Sequence, residues 1–433
     1  MNSAVTYPNI CADERKKCHD SSWDYKEFNT KIVSHGVHTY PAMMIPQVAR
    51  RLIETYGENA EVLLDPFMGS GTSLVEAKIH PQFKEAYGID INPLARLIGK
   101  VKSTPISTKI LNEEAYRLIE KCQNDIFALN LGQKTLEPVS FKNIEFWFKP
   151  AVIRDLTVIK QHIDEIEDAD VRDFFNAAFS EVVRNVSNTK NSEFKLYRMS
   201  GTKLEKHNPN TIKVFEKRVF YNILQISNLN DEAKDCKVHI LNEDTRKETS
   251  LKSNSVDIIV SSPPYGDSHT TVAYGQFSRL SLEFLGYDDD EVRKIDKVSL
   301  GGVKASDFSV ELNSSTLMSE IAEIAEIDKK RAFEVISFYK DFVKCIKEID
   351  RVMKADGYVC LVVGNRTVKN VKLSTDVIIA ELFTSLGNYE HERTIIRNIP
   401  SKRMPKANSP TNVKGSTVPT MNEEYIVILK KLF

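Results

Sequence analysis

Glu61-Val62-Leu63-Leu64-Asp65-Pro66-Phe67-Met68-Gly69-Ser70-Gly71-Thr72-Ser73 is the stretch from which the fold is read. Val62 to Leu64 is a short apolar run of the kind that forms a strand buried on both faces. Gly69 and Gly71 then permit positive φ and let a ligand come close to the backbone. A helix is expected from Leu74 to Ala77, directly behind the glycines. Its first N–H groups have no partner inside the helix and suit a carboxylate or phosphate. No lysine follows the glycines, and Gly-x-Gly-x-x-Gly spacing is absent, so neither the nucleotide phosphate loop nor the dinucleotide fingerprint applies.

Working outward, Ala86-Tyr87-Gly88-Ile89 reads as a second strand. It ends in Asp90, 19 residues past Gly71. An acid about 20 residues beyond such a turn reaches ribose hydroxyls in nucleotide-binding βαβ units. A surface aspartate at a strand end is the plain alternative. A third strand begins at Lys237 and runs toward Asp244. The fourth, Ser255 to Val260, leads into Ser261-Ser262-Pro263-Pro264-Tyr265-Gly266. Neither proline offers an N–H to a ladder, so the sheet stops there and the chain leaves it stiff. A rigid carbonyl, a hydroxyl and a ring can hold a planar group by in-plane hydrogen bonds and stacking. Alone, the element is equally a Pro-Pro turn with a surface tyrosine. With a glycine turn and two acids at neighbouring strand ends, it falls at the sheet edge where open α/β folds bind ligands.

The rest of the chain completes an α/β core. A helix with Pro46 in its first turn precedes the glycine stretch. An amphipathic helix from Ala332 to Met353 reaches a strand at Tyr358–Gly364. A helix at Asp376–Leu386 leads to strands around 392–397 and 424–429. Residues 105–235 break the rhythm with helical periods at Leu111–Leu129, Val152–Ile166, Val171–Val186 and Asn210–Leu229. The expected organisation is an irregular segment over 1–34, core parts at 35–104, 236–285 and 332–433, a helical insertion at 105–235, and a flexible, loop-rich insertion at 286–331.

Composition sets the bounds. The 433 residues are 41% hydrophobic with a net charge of −1, which describes a folded soluble chain with a large core and excludes a wholly cationic coat. No apolar run is long enough to span a bilayer, and Asp13 to Lys17 stand where a secretory signal would need apolar residues. The expected place is therefore cytoplasmic, associated with the nucleoid. Cys11, Cys18, Cys122, Cys236, Cys345 and Cys360 lie far apart, so no metal site is expected. Charge is uneven: Arg184 to Arg218 carries nine basic residues against three acidic, and Arg393 to Lys414 carries six against none. Such tracts suit an enzyme that binds a polyanion on one face, although a solvated helix face explains them as well. Asn185 to Arg198 mixes small polar, basic and aromatic residues, a composition suited to phosphates and bases. The candidate nucleic-acid contacts are Arg184, Asn188, Lys190, Lys195 and Arg198, with Lys402, Arg403 and Lys406.

Taken together, DPFMGSGTS at 65–73 and SSPPYG at 261–266 resemble the cofactor and catalytic motifs of amino-group DNA methyltransferases. The segment from His38 to Arg51, and KRMP at 402–405 with NEEYIVIL at 422–429, are similar to further parts of that family. The resemblance covers roughly 35–104, 236–285 and 332–433. It implies a Rossmann-like sheet with helices on both faces and S-adenosyl-L-methionine (AdoMet) as methyl donor. It implies that the methionine moiety lies over Asp65, Pro66, Phe67, Gly69, Ser70, Gly71 and Thr72, with His38 and Tyr40 also binding the cofactor. Asp90 would hold the ribose hydroxyls, Ile91 with Asp244 would lie at the adenine, and Asn92 would be a further cofactor contact. Ser262 and Pro263 would hold an exocyclic amino group, Pro264 would stiffen the element, and Tyr265 would stack on a base flipped from double-stranded DNA. The Ser-Pro-Pro-Tyr form is the one most associated with N4 of cytosine. N6 of adenine, an RNA amino group and a non-catalytic binder are the alternatives. The family leaves room for a cognate restriction endonuclease acting separately; the oligomeric state stays open.

Overall fold

A computed structural model describes residues 16–190, 194–266, 271–305, 312–399, 407–408, 418–419 and 421–433. Lys402, Arg403 and Lys406 lie outside the described residues.

One sheet organises the chain. Its strands are β1 (Lys17–His19), β2 (Val62–Asp65), β3 (Glu85–Ile89), β4 (Lys237–Leu241), β5 (Val256–Ser261), β6 (Met353–Val363), β7 (Tyr389–Asn398) and β8 (Glu423–Lys431). In space they run β1-β7-β8-β6-β5-β2-β3-β4. β2 lies parallel to β3 and β5, β3 to β4, β5 to β6 and β1 to β7. β8 is antiparallel to both β6 and β7. The sheet is Rossmann-like, as the family resemblance implies.

Both faces are covered, which is why the strands read as continuous apolar runs rather than alternating ones. Leu64, Ile259, Val359, Leu361 and Val427 pack beneath α11 (Lys329–Val352) and α12 (Thr375–Thr384). Leu63, Ala86, Ile258, Val260, Cys360 and Ile426 face the opposite layer, which holds α1 (Pro46–Tyr56) and α2 (Thr72–Ile79). Successive residues thus feed opposite cores. The helices α4 (Thr108–Asn130), α5 (Pro150–Asp164), α6 (Ala169–Val186) and α7 (Thr211–Glu232) pack around Phe174, Phe175, Phe179 and Phe215. They form the insertion between α3 (Pro93–Ser103) and β4.

Two stretches differ from their sequence expectation. The N-terminal segment supplies an edge strand, with Lys17, Cys18 and His19 in register with Thr394, Ile395 and Ile396. The stretch read as loop-rich carries α9 (Asp289–Val298), capped by Asp288, and α10 (Ser315–Ile327), capped by Ser314. α8 (Tyr274–Phe284) packs against α9.

Candidate active site

The chain crosses outward through β3 and β4 on one side of β2 and returns through β5 and β6 on the other. A crevice opens outside the carboxyl ends of the strands at such a switch point. Here it is a cavity that opens to solvent. Of the residues singled out in the sequence, Tyr40, Asp65, Pro66, Phe67, Gly69, Ser70, Thr72, Asp90, Ile91, Asn92, Asp244, Ser262 and Pro264 line it.

The glycine turn is built as the residue types require. Gly69 and Gly71 sit at φ of +48° and +77°. A Cβ on Gly71 would lie 2.9 Å from the Gly99 Cα of α3. Asp90 fixes the turn from below: its carboxylate accepts from the Gly69 N–H at 3.1 Å and the Asn92 N–H at 2.7 Å. Asn92 caps α3 and donates to the hydroxyls of Tyr40 (3.0 Å) and Ser278 (2.8 Å). The Tyr40 ring stacks on Tyr274, with centroids 5.7 Å apart.

Asp65 and Ser261 join the ends of β2 and β5. The Ser261 hydroxyl donates to the Asp65 carboxylate at 2.6 Å, and the Phe67 N–H adds a second bond at 3.2 Å. Burial pushes both Asp65 and Asp90 up to about 6, against hydrogen bonds that favour the ionised form. Asp244 behaves differently. Burial raises it, but bonds from the Arg246 side chain at 2.7–3.1 Å outweigh this and hold its carboxyl below the usual range. Arg246 reaches on to Asp341 at 3.1 Å and to the Val298 carbonyl at 2.5 Å. It thereby fastens the end of α9 over the cavity, where Ile295, Val298, Ser299 and Leu300 form a roof.

Ser262 and Tyr265 stand at the end of β5. The Ser262 hydroxyl lies 3.1 Å from the Val362 carbonyl and 3.3 Å from the Tyr265 hydroxyl. Tyr265 donates to Glu424 of β8 at 3.4 Å, and Arg397 of β7 ion-pairs with Glu424 from the other side. Burial first, then the Glu424 charge, keeps the Tyr265 hydroxyl protonated far above its ordinary range. Pro263, Tyr265, Gly71 and His38 do not line the cavity. His38 is buried with Nε2 3.1 Å from the Ser180 hydroxyl, edge-on to Phe277.

The loop after α6 divides in two. Arg184 is buried, its guanidinium 4.5 Å above the Phe277 ring, and donates to the Phe194 carbonyl at 3.3 Å. Asn188 is buried as well, donating to the Phe146 carbonyl at 3.3 Å. Both turn inward and act as structural members. Lys190 is exposed, Lys195 and Arg198 are half-buried, and Arg198 lies 4.4 Å over the Phe146 ring. This loop rests on α8, whose Tyr274 lines the cavity: the Leu196 N–H donates to Gln276 at 3.4 Å.

Tyr274, Arg246 and the α9 roof are among the cavity residues that sequence reasoning missed. An aromatic at 274 was visible as a residue type, but only stacking on Tyr40 marks its place. Among the described residues no cluster is arranged to hold a metal ion, and no helix is long and apolar enough to cross a membrane.

Residues 4–98 match the family model of DNA methylases, N6_N4_Mtase. The Type II methyltransferase M.MvaI of Kocuria varians is 45% identical over 423 residues, spanning 93% of this chain and 92% of that protein. The chain belongs to the Type II DNA methyltransferases. The Type II methyltransferase M.MjaII of Methanocaldococcus jannaschii is 30% identical over 135 residues, 30% of this chain and 24% of that one. Among solved structures, TrmN from Thermus thermophilus aligns over 90% of this chain and 49% of its own, with a TM-score of 0.28 and 10% identity. The methyl donor of this Type II enzyme is AdoMet. The chemistry of the lining fits it: glycine backbone beside a helix N-terminus, carboxylates at strand ends and apolar surface would suit its charged, hydroxylated and flat parts.

Proposed function

We propose that this enzyme methylates the N4 amino group of cytosine in double-stranded DNA, with the base turned out of the helix into the mouth of the cavity. What carries the reading is that Ser262 and Pro264 line the same cavity as Asp65, Gly69, Ser70 and Asp90. The catalytic element and the donor site are one continuous space.

Methyl transfer is an in-line displacement, and AdoMet supplies the electrophilic methyl group. The protein's part is placement and electrostatics. An exocyclic amino group is a poor nucleophile because its lone pair is delocalised into the ring. The Ser262 hydroxyl lies within donating distance of the Val362 carbonyl, which leaves its oxygen free to accept from the substrate N–H. The Pro263 carbonyl, on a chain that cannot rotate about φ, offers a second acceptor. Two acceptors in the plane of the base would draw the amino group toward a pyramidal form and expose its lone pair. The Tyr265 ring, held by its hydroxyl on Glu424, gives a face beside that point. Extruding the base costs a few kcal/mol. The exposed Lys190 and the Arg198–Phe146 pair offer phosphate and stacking contacts on the loop that abuts α8.

The test is nucleoside analysis of duplex DNA after incubation with labelled AdoMet. Label is expected in N4-methylcytosine; label confined to N6-methyladenine overturns the base assignment. Ser262→Ala is expected to slow single-turnover transfer by about 100-fold, the order seen when one hydrogen-bonding group is removed from a polarised site, with AdoMet affinity unchanged.

A further inference from the structure

We propose that Lys102 is a positioning residue of the cofactor site: its ammonium, set behind the glycine turn, acts through the Ser70 hydroxyl to seat the carboxylate of the methionine moiety. The proposal rests on the AdoMet reading of the cavity.

Lys102 lies in the last turn of α3 and is 0% exposed. Its Nζ is 3.3 Å from Ser70 Oγ and 3.7 Å from Met43 Sδ, and both of those residues line the cavity. Ser34 holds the lysine's backbone by donating to its carbonyl at 2.6 Å. Among the described residues no carboxylate pairs with this ammonium. The neighbouring acids are engaged elsewhere. Glu181 of α6 is bonded to Arg218 and accepts from the Thr39 N–H at 3.2 Å. Glu76 of α2 takes His35 at 2.8 Å and Arg50 at 2.7 Å.

A buried ammonium without a counter-ion is unfavourable unless an anion joins it. Its two side-chain partners, Ser70 and Met43, both face the cavity. When Nζ donates to Ser70 Oγ, the serine's own proton is turned away from the lysine, toward the cavity. A carboxylate there meets that proton, the first N–H groups of α2 and the field of the ammonium together. A cofactor fragment without the carboxylate would meet none of these.

The charge balance makes the effect pH-dependent. Burial pulls Lys102 down to about 7, with Glu181 opposing. The Lys102 charge acts on His35 and His38; Glu76 and Arg50 also face His35, and Arg184 and Arg218 also face His38. Burial lowers both histidines, so they stay neutral as pH rises above 7. The arginines keep their charge in that range.

The experiment is calorimetric titration of the full chain with AdoMet and, separately, with 5′-methylthioadenosine, which lacks the amino-acid end. Lys102→Met is expected to weaken AdoMet by about 10- to 100-fold, the worth of one charge-assisted hydrogen bond, and to leave methylthioadenosine within about twofold. The wild-type advantage over the variant should shrink from pH 7 to 9. Equal loss for both ligands would make Lys102 structural, and unchanged AdoMet affinity would refute the role outright. If Lys102→Met does not fold, Ser70→Ala carries the same comparison: it must lose AdoMet affinity selectively, and failure to do so overturns the relay. A wild-type chain that binds methylthioadenosine but not AdoMet would instead sink the underlying reading of the cavity.

Discussion

Asp65 is a carboxyl group that the fold protects from ionising until about pH 6, whereas its ordinary value is 3.8. It is 3% exposed, so burial dominates. The sign follows from which state binds protons more tightly. Between pH 4 and 6 the folded chain keeps a proton that the unfolded chain has released. Stability is therefore favoured at the acid side and lost as pH rises through that window, by about 3 kcal/mol in full. Asparagine keeps an acceptor for Ser261 and the Phe67 N–H but cannot ionise. In urea melts of the ligand-free chain, Asp65→Asn should gain on the wild type by about 2–3 kcal/mol between pH 4 and pH 7. A wild-type-to-variant difference that stays flat with pH would show that the site ionises without cost. If the charged carboxylate meets the cofactor's ammonium, a residue that weakens the empty chain serves the loaded one.

At the scale of elements, the start of α2 crosses α3 at Gly71 and Gly99 with no side chain between them. Alanine at 71 meets two obstacles: a φ of +77° and a Cβ 2.9 Å from a backbone carbon. Alanine at 99 meets only the flexible end of Met68, also at 2.9 Å. Gly71→Ala should cost about 1–3 kcal/mol and displace Ser70, weakening AdoMet; Gly99→Ala should cost less and leave binding closer to normal. Denaturation and calorimetry on the pair decide it, and equal penalties would mean that the crossing is loose. These elements were legible because their chemistry is local. Buried parallel strands write themselves as apolar runs, a left-handed turn asks for glycine, and Pro263-Pro264 ends a ladder. What was not legible depends on distant partners. β1 is three residues long and exists because β7 offers it an edge. β8 inserts between β6 and β7, a choice made by pairing across the chain. The roof helix α9 is short and acidic at its start, and only its Asp288 cap and the Arg246 fastening reveal it.

At the scale of the whole molecule, charge content and charge direction are different quantities. A tract of nine basic residues told of an excess, not of which side chains reach solvent. Arg184 and Asn188 turn in toward Phe277 and Phe146, while Lys190 is exposed and Arg198 lies on a partly exposed ring. If this loop tracks the DNA backbone, the double variant Lys190→Ala/Arg198→Ala should weaken binding alike on all sequences. The slope of log affinity against log salt should drop by about 2, one for each lost phosphate contact, with AdoMet affinity unaltered. Arg184→Ala should do the opposite. It removes a buried guanidinium from the Phe277 ring and from the Phe194 carbonyl, so it should lower the melting temperature and leave the salt slope of the remaining folded protein unchanged. Measured side by side, the two variants separate a binding surface from a scaffold. An unchanged salt slope in the double variant would move the DNA face away from this loop altogether.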